Sequence, residues 1–353
     1  MKNYYVIGLM SGTSIDGVDL VYVKFSYKSS WSFKIINSKT YKYDKEWQDI
    51  LKNLSNKNIE SIKQIDINYT KILSNYILEF IKEFSVQKID FISSHGHTAF
   101  HDPQNSITYQ IGNLTELSSY IGLKVICDFR TQDVKYGGQG APLVPVGEKY
   151  LFKDYKSLIN LGGFANITLR SSDTLIAFDI CPVNIIFNHL SFKKGLKYDD
   201  SGKIAMSGKM NIDLFNLLES LDYYNLSPPK SLGLEWVNEF IFPIIKRFSE
   251  YPLEDLLHTF SKHFANQISK NLKNSDRVLI TGGGSYNNYL IQNIKDLTKA
   301  EIIIPNKEII EFKEALIFGF LGVLKDLNID NCYSSVTGAI KNHSSGKIII
   351  PKN

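Results

Sequence analysis

The sequence predicts an α/β protein of two domains. Three observations carry that prediction. Strand patterns come first and then alternate with helical patterns. A strand, a glycine-bearing turn and a strand open the chain and recur from Ser157 to Arg170. The chain has 353 residues, 43% of them hydrophobic, enough to bury a core in each of two domains.

The elements follow in order. Tyr4–Met10 and Val18–Phe25 are apolar strands joined by a small, hydroxyl-rich turn, so they read as a hairpin. A third strand is expected near Trp31–Lys42. Ile59–Phe84 has helical periodicity at Ile62, Ile65, Tyr69, Ile72 and Tyr76. Asp90–Ser94 is a short strand ending at the polar knot Ser94-His95-Gly96-His97-Thr98, and Leu123–Asp128 is a buried strand. The Gly/Pro-rich passage Tyr136–Pro145 is the best candidate for a domain crossing.

The opening pattern then returns: strand Ser157–Leu161, turn Gly162-Gly163-Phe164-Ala165-Asn166, strand Ile167–Arg170, and a further strand Leu175–Asp179. This reads as a duplication, with two similar domains facing each other across a cleft. Chance recurrence of a common hairpin is the competing explanation. Leu253–Leu272 is an amphipathic helix with Leu257, Phe260, Phe264 and Ile268 on one face. Strand Arg277–Thr281 runs into Gly282-Gly283-Gly284-Ser285 and a helix over Asn287–Ile294. Ile310–Leu324 is another helix, and Lys347–Ile350 a terminal strand. The expected domains are 1–130 with 328–353, and 131–327.

Composition excludes several classes. No run of 18 apolar residues exists, so no membrane span is expected. The N-terminus enters a strand directly and lacks a signal-peptide pattern. Cys127, Cys181 and Cys332 are odd in number and far apart, which fits a reducing cytoplasm. No Cys/His spacing resembles a zinc site, and no metal ligand is assigned. A net charge of +4 without a basic stripe does not suggest nucleic acid as a partner. A Gly-x-Ser-x-Gly elbow, the protein-kinase signatures, the Walker pattern and the dinucleotide fingerprint are all missing.

Candidate site residues come from the turns. Gly12-Thr13-Ser14-Ile15-Asp16-Gly17-Val18-Asp19 can offer backbone N–H groups and hydroxyls to a polyphosphate, and Gly12 and Gly17 allow close approach. A polar hairpin turn fits equally well. Asp16 and Asp19 suit metal or water near phosphate. Gly282–Gly284, between a strand and a helix N-terminus, has the layout of an anion or nucleotide site. Asp179 sits where a strand's C-terminal end would project a general base, or cap a turn. His95, His97 and His101 read as pocket-lining or backbone-bonding groups. Arg130 suits a forked grip on a carboxylate, with Asp128 orienting it, or a surface ion pair. Asp199–Gly202 reads as a polar loop.

Along almost its whole length the chain resembles the anhydro-N-acetylmuramic acid kinase family. The segments that carry the resemblance are Gly8–Asp19, Ser94-His95-Gly96, Tyr109–Asn113, Asp128-Phe129-Arg130, Gly137–Pro145, Asn160–Asn166, Pro228-Pro229-Lys230-Ser231, Thr281–Gly284, Lys313-Glu314-Ala315 and Val336–Ala339. The resemblance implies two ribonuclease-H-like domains of the actin-like sugar-kinase type around an ATP cleft. It implies hydrolytic opening of 1,6-anhydro-N-acetylmuramic acid and phosphorylation of O6 by ATP with Mg²⁺, in cell-wall recycling. It maps the base onto Asp179, the nucleotide phosphates onto Gly12–Asp19, and further nucleotide contacts onto Gly162, Gly163 and Gly282–Gly284. It maps the sugar onto Thr98, Arg130 and Glu314, with Arg130 meeting the lactyl carboxylate. A cytoplasmic homodimer is implied as well.

The chain departs from the family at the base. Asp-Thr-Gly-Pro-Gly-Asn is here Asp179-Ile180-Cys181-Pro182-Val183-Asn184, Asn188 replaces an aspartate, and His97 replaces a glutamine. Loss of two glycines removes their backbone freedom. A catalytically impaired nucleotide- or sugar-binding protein of the same fold is therefore the alternative reading.

Overall fold

A computed structural model describes residues 2–12, 15–170, 174–273 and 276–352. Thr13 and Ser14, two of the expected phosphate contacts, lie outside the described residues. The chain divides into two compact units, residues 1–153 with 312–353, and residues 154–311.

In the first unit the chain forms β1 (Lys2–Met10), β2 (Gly17–Tyr27), β3 (Trp31–Lys42), β4 (Phe91–Ser94), β5 (His97–Asp102), β6 (Ile107–Ile111) and β7 (Val125–Cys127). Six strands make one sheet in the order terminal strand Lys347–Ile349, β7, β4, β1, β2, β3. β1, β2 and β3 are antiparallel neighbours, while β1, β4 and β7 run parallel. β5 and β6 form a separate hairpin. Alternation sends Ile7 and Leu9 into a core shared with Ile62, Tyr69, Leu73, Ile77 and Phe80 of the helix Ile59–Glu83. Asn58 starts that helix by accepting a hydrogen bond from Ser61 N at 2.9 Å. Gly8, between Ile7 and Leu9, meets the helix Lys307–Asp326. A Cβ there would run into the Ala315 carbonyl and lie 3.0 Å from Gly319 N. The helix rests on bare backbone, and only glycine permits that.

The second unit repeats the plan with β8 (Ser157–Leu161), β9 (Phe164–Arg170), β10 (Leu175–Pro182), β11 (Arg277–Thr281) and β12 (Glu301–Ile303). Its order is β10, β9, β8, β11, β12, with β8, β9 and β10 antiparallel and β8, β11 and β12 parallel. This matches β3, β2, β1, β4, β7 strand for strand. Leu257, Phe260, Phe264 and Ile268 of the helix Leu253–Ser269 pack with Ile159, Ile167 and Phe178. Each unit is thus a mixed sheet with helices, of one shared topology.

The division between the units differs from the expected one. The Gly/Pro passage stays inside the first unit because its contacts are there. Asp133 accepts from Gly140 N at 2.7 Å and from Thr337 Oγ1 at 2.7 Å. Glu148 and Lys313, each 3% exposed, form an ion pair at 2.8 Å. Residues 312–327 belong to the first unit as well, held by Gly8 and this pair.

Candidate active site

Asp179 lies on β10 opposite Asn166, and the strand does not end there. After a bulge, pairing resumes at Cys181 with Ala165 and Pro182 with Phe164. Ile180, Cys181 and Val183, which stand where the family has Thr, Gly and Gly, are at most 2% exposed and join the second unit's core. None of the three has a positive φ, and Val183 sits at −131°. The loop has exchanged glycine freedom for apolar burial, worth roughly 1.5–3 kcal/mol per aliphatic side chain. That removes the structural motive for the impaired alternative.

The loop after Pro229 clasps the aspartate. Asp179 N donates to Lys230 O at 3.2 Å, and Leu232 N donates to Asp179 Oδ2 at 2.9 Å. The Asp179 carbonyl accepts from Tyr223 OH at 2.6 Å. Burial raises the Asp179 pKa above the ordinary carboxylate value, and the Leu232 N–H partly offsets this. Lys230 Nζ rests over the Tyr223 ring, 4.7 Å from its centre, and burial lowers its pKa. Pro228–Ser231 was legible as a motif, but its role as the clasp was not.

The glycine turns of the second unit converge on Asn184. Val183 N and Ile185 N donate to Gly163 O at 2.8 and 3.3 Å, and Asn184 N donates to Gly162 O at 3.3 Å. Asn184 Nδ2 donates to Leu161 O at 3.0 Å. Gly282 holds φ +82°, and a Cβ there would lie 2.8 Å from Leu161 O. A Cβ at Gly284 would lie 2.7 Å from Leu161 Cβ and 3.2 Å from Asn184 Oδ1. Around Gly163 and Gly283 the nearest atoms to such a Cβ, on Ile185 and Asn184, are 3.8 and 3.9 Å away. The two turns therefore form one backbone platform, open over Gly163 and Gly283.

In the first unit, Gly12 O accepts from Ile15 N at 3.4 Å, and Ile15 holds φ +55°, a rare conformation for a β-branched residue. A Cβ at Gly17 would lie 2.5 Å from Tyr41 O, so that glycine is required by β3. Val18 is fully buried, which leaves only its backbone for a ligand. Asp16 is exposed. Asp19 is half-buried and accepts from Thr40 Oγ1 at 2.5 Å. Ser11, at the root of the turn, sits in a buried chain: its Oγ is 2.8 Å from His97 Nδ1 and 2.7 Å from Tyr43 OH, which bonds Tyr69 OH. Burial pushes His97 down to about 4, so it is neutral.

Arg130 follows β7 and starts the helix Thr131–Lys135. Its Nε donates to His95 Nε2 at 2.9 Å and its Nη1 to Gly140 O at 2.6 Å. Burial lowers Arg130 to about 10, against the opposing pull of Glu314. Burial raises Glu314, while Lys313 and Arg130 lower it. Arg130 and Glu314 thus act on each other electrostatically. Asp128 does not orient Arg130. It accepts from Thr131 Oγ1 at 2.5 Å and pairs with Lys347 at 2.7 Å. His95 does the orienting. Thr98 is half-buried on β5 opposite Gln110. Gln110 Oε1 and Asn113 Oδ1, in a motif segment to which sequence reasoning assigned no role, are buried without a hydrogen-bond partner. Such acceptors are costly unless a ligand supplies the donor. His101 Nδ1 lies 3.1 Å from Thr108 Oγ1. Asp199 is structural: both its oxygens accept backbone N–H groups, from Ile204 and Ala205, at 2.9 Å.

The family model described as anhydro-N-acetylmuramic acid kinase matches residues 4–351. Curated relatives carry that name. One, from Bacillus thuringiensis subsp. konkukian (strain 97-27), is 32% identical over 98% of this chain and 99% of its own length. Another, from Bacillus cereus (strain 03BB102), is 33% identical over the same shares. Among solved structures, the activator of the 2-hydroxyisocaproyl-CoA dehydratase from Clostridium difficile with bound ADPNP is similar at 13% identity and a TM-score of 0.46. That match covers 90% of this chain and 94% of that one.

Proposed function

The chain belongs to the anhydro-N-acetylmuramic acid kinase family, and on that premise we propose that it opens 1,6-anhydro-N-acetylmuramic acid and phosphorylates O6 at the expense of ATP. The observation that carries the mechanism is the clasped carboxylate of Asp179. A neutral water attacks an acetal carbon poorly and needs a base. Asp179 takes the water's proton, the water oxygen bonds to C1, and the C1–O6 bond breaks. O6 takes the γ-phosphoryl group, which leaves N-acetylmuramic acid 6-phosphate and ADP. The bonds from Leu232 and Tyr223 hold the base in place, and its raised pKa makes it a better proton acceptor than a solvated aspartate.

Arg130, aimed by His95 and Gly140, suits the lactyl carboxylate, and Thr98 and Glu314 suit hydroxyls of the sugar. Gly12–Asp19 and the platform of Gly162, Gly163 and Gly282–Gly284 suit the nucleotide. When bound, Mg²⁺ would supply charge neutralisation at the phosphates. Asp16 and Asp19 fit it, since magnesium keeps most of its waters and takes one or two carboxylates. The homodimer and the cytoplasmic location rest on family resemblance. The three buried free cysteines accord with a reducing compartment, and among the described residues no helix is long and apolar enough to cross a membrane.

The test is direct. The protein is incubated with ATP, Mg²⁺ and the anhydro sugar in ¹⁸O-labelled water, and ADP and the sugar phosphate are measured. One label at the anomeric oxygen of a 6-phosphate is expected. No ADP, or label elsewhere, overturns the reading.

A further inference from the structure

The two hydrogen bonds of an isolated β-bridge bring Cys332 and His343 face to face. Cys332 N donates to His343 O at 3.1 Å, and His343 N donates to Cys332 O at 3.1 Å. Directly opposed residues of an antiparallel pair project their side chains to the same face. Asp133, from the helix Thr131–Lys135, reaches the same spot, with Oδ1 3.6 Å from His343 Nε2. One donor atom from each of the three residues lies within 4.8 Å of the others. Asp133, Cys332 and His343 are 0, 1 and 5% exposed.

We propose that Asp133, Cys332 and His343 form a binding site for a borderline-soft divalent cation of the zinc class. His343 Nε2 is buried, hydrogen-bonds to nothing, and faces the Asp133 carboxylate. Its Nδ1 lies 3.1 Å from Lys341 O. A proton on Nδ1 donates to that carbonyl and leaves the Nε2 lone pair directed at the cluster. This is the arrangement metal-binding imidazoles use. Bond lengths of about 2.0–2.3 Å around a tetrahedral zinc require donor separations of roughly 3.4 Å. The His343–Asp133 distance is close to that, and the thiol has a short way to move.

The donor chemistry also fits. Asp133 has its own supports in Gly140 N and Thr337 Oγ1, each at 2.7 Å, which leaves the carboxylate oriented. A carboxylate and a thiolate together neutralise a dication, as a water-poor site demands. Cation binding would release the Cys332 proton to solvent. Gly140 links this cluster to the sugar side, because its carbonyl holds Arg130 Nη1. A cation here would act as a clip on the loop that supports Arg130.

The experiment uses the full chain, stripped of metal with a chelator and titrated with Co²⁺ alone, then with Zn²⁺. One equivalent of Co²⁺ is expected to give a thiolate-to-cobalt charge-transfer band that Zn²⁺ abolishes. Zn²⁺ is expected to raise the thermal midpoint. Cys332→Ser should remove the band, and His343→Gln should weaken binding by about tenfold or more. Circular dichroism establishes that each variant is folded. If Cys332→Ser does not fold, the wild-type band and the His343→Gln titration decide. A folded wild-type protein with neither band nor midpoint shift at saturating Co²⁺ overturns the proposal. So does a band that survives Cys332→Ser or an unchanged affinity in His343→Gln. A band-free protein whose midpoint ignores metal leaves only the His343–Asp133 contact and overturns the proposal.

Discussion

Arg130 Nε donates to His95 Nε2 at 2.9 Å. An arginine N–H can only donate, so Nε2 must carry a lone pair. The imidazole proton therefore sits on Nδ1, 2.8 Å from Gly96 O. Burial and the Arg130 charge both hold His95 well below its usual pKa. His95 is a neutral acceptor whose task is to aim a cation.

His95→Ala should raise KM for the sugar by roughly 10–100-fold, the value of a charge-assisted hydrogen bond of about 1.5–3 kcal/mol. KM for ATP should stay near wild type. His95→Gln, which restores an acceptor, should recover part of the loss. Equal effects on both substrates would count against the positioning role.

Asp179→Asn keeps an oxygen for Leu232 N and loses the base. Turnover should fall by about 10²–10⁴-fold, with nucleotide affinity retained by calorimetry. The wild-type pH profile should follow the raised pKa of Asp179. A protonated carboxylate accepts no proton, so kcat/KM should fall as pH drops through that value. The acid limb should therefore lie above the ordinary aspartate position near 3.9. A limb at the ordinary position would show that another group is the base.

His97 offers a stability test. Its folded value of about 4 lies below the ordinary 6.5. Between those values the unfolded chain binds the extra proton, so stability falls as pH drops from 6.5 towards 4. The loss from this residue is up to about 3 kcal/mol. His97→Gln, the family's residue, should flatten that part of the curve in urea titrations. An unchanged slope would place the acid sensitivity elsewhere.

Lys313→Met leaves Glu148 as an unpaired buried charge. The expected cost is about 3–5 kcal/mol, read as a lower urea midpoint. Adding Glu148→Leu should recover most of it. Failure of the double variant to recover would mean that packing, not charge, dominates there.

Gly8→Ala forces a methyl group into the Ala315 carbonyl. A loss of about 1–3 kcal/mol is expected from overpacking, as a lower thermal midpoint. No loss would mean that helix and strand part more easily than the geometry implies.

Much of this protein is written locally. The third strand, Trp31–Lys42, and the strands Ser157–Leu161 and Arg277–Thr281 were legible to the residue, because burial and pairing print a pattern over a few neighbours. The opening hairpin and its echo were legible for the same reason. The roles of Asp179, the glycine turns and Arg130 came from the family resemblance and not from local pattern. The end of β10 was not legible, since Ile180 and Cys181 extend the strand through a partner strand's register. Nor was the unit boundary, which depends on Gly8, Glu148 and Lys313 meeting.

The chain by itself determined which segments are strands and helices and that they come in two similar sets. Only tertiary structure decided what their side chains face. His95 and Arg130 are 35 positions apart, Glu148 and Lys313 165, and Thr337 and Asp133 204. Periodicity and turn chemistry act over a few bonds. Hydrogen bonds, ion pairs and metal clusters act over a few ångströms wherever folding brings the chain back to itself.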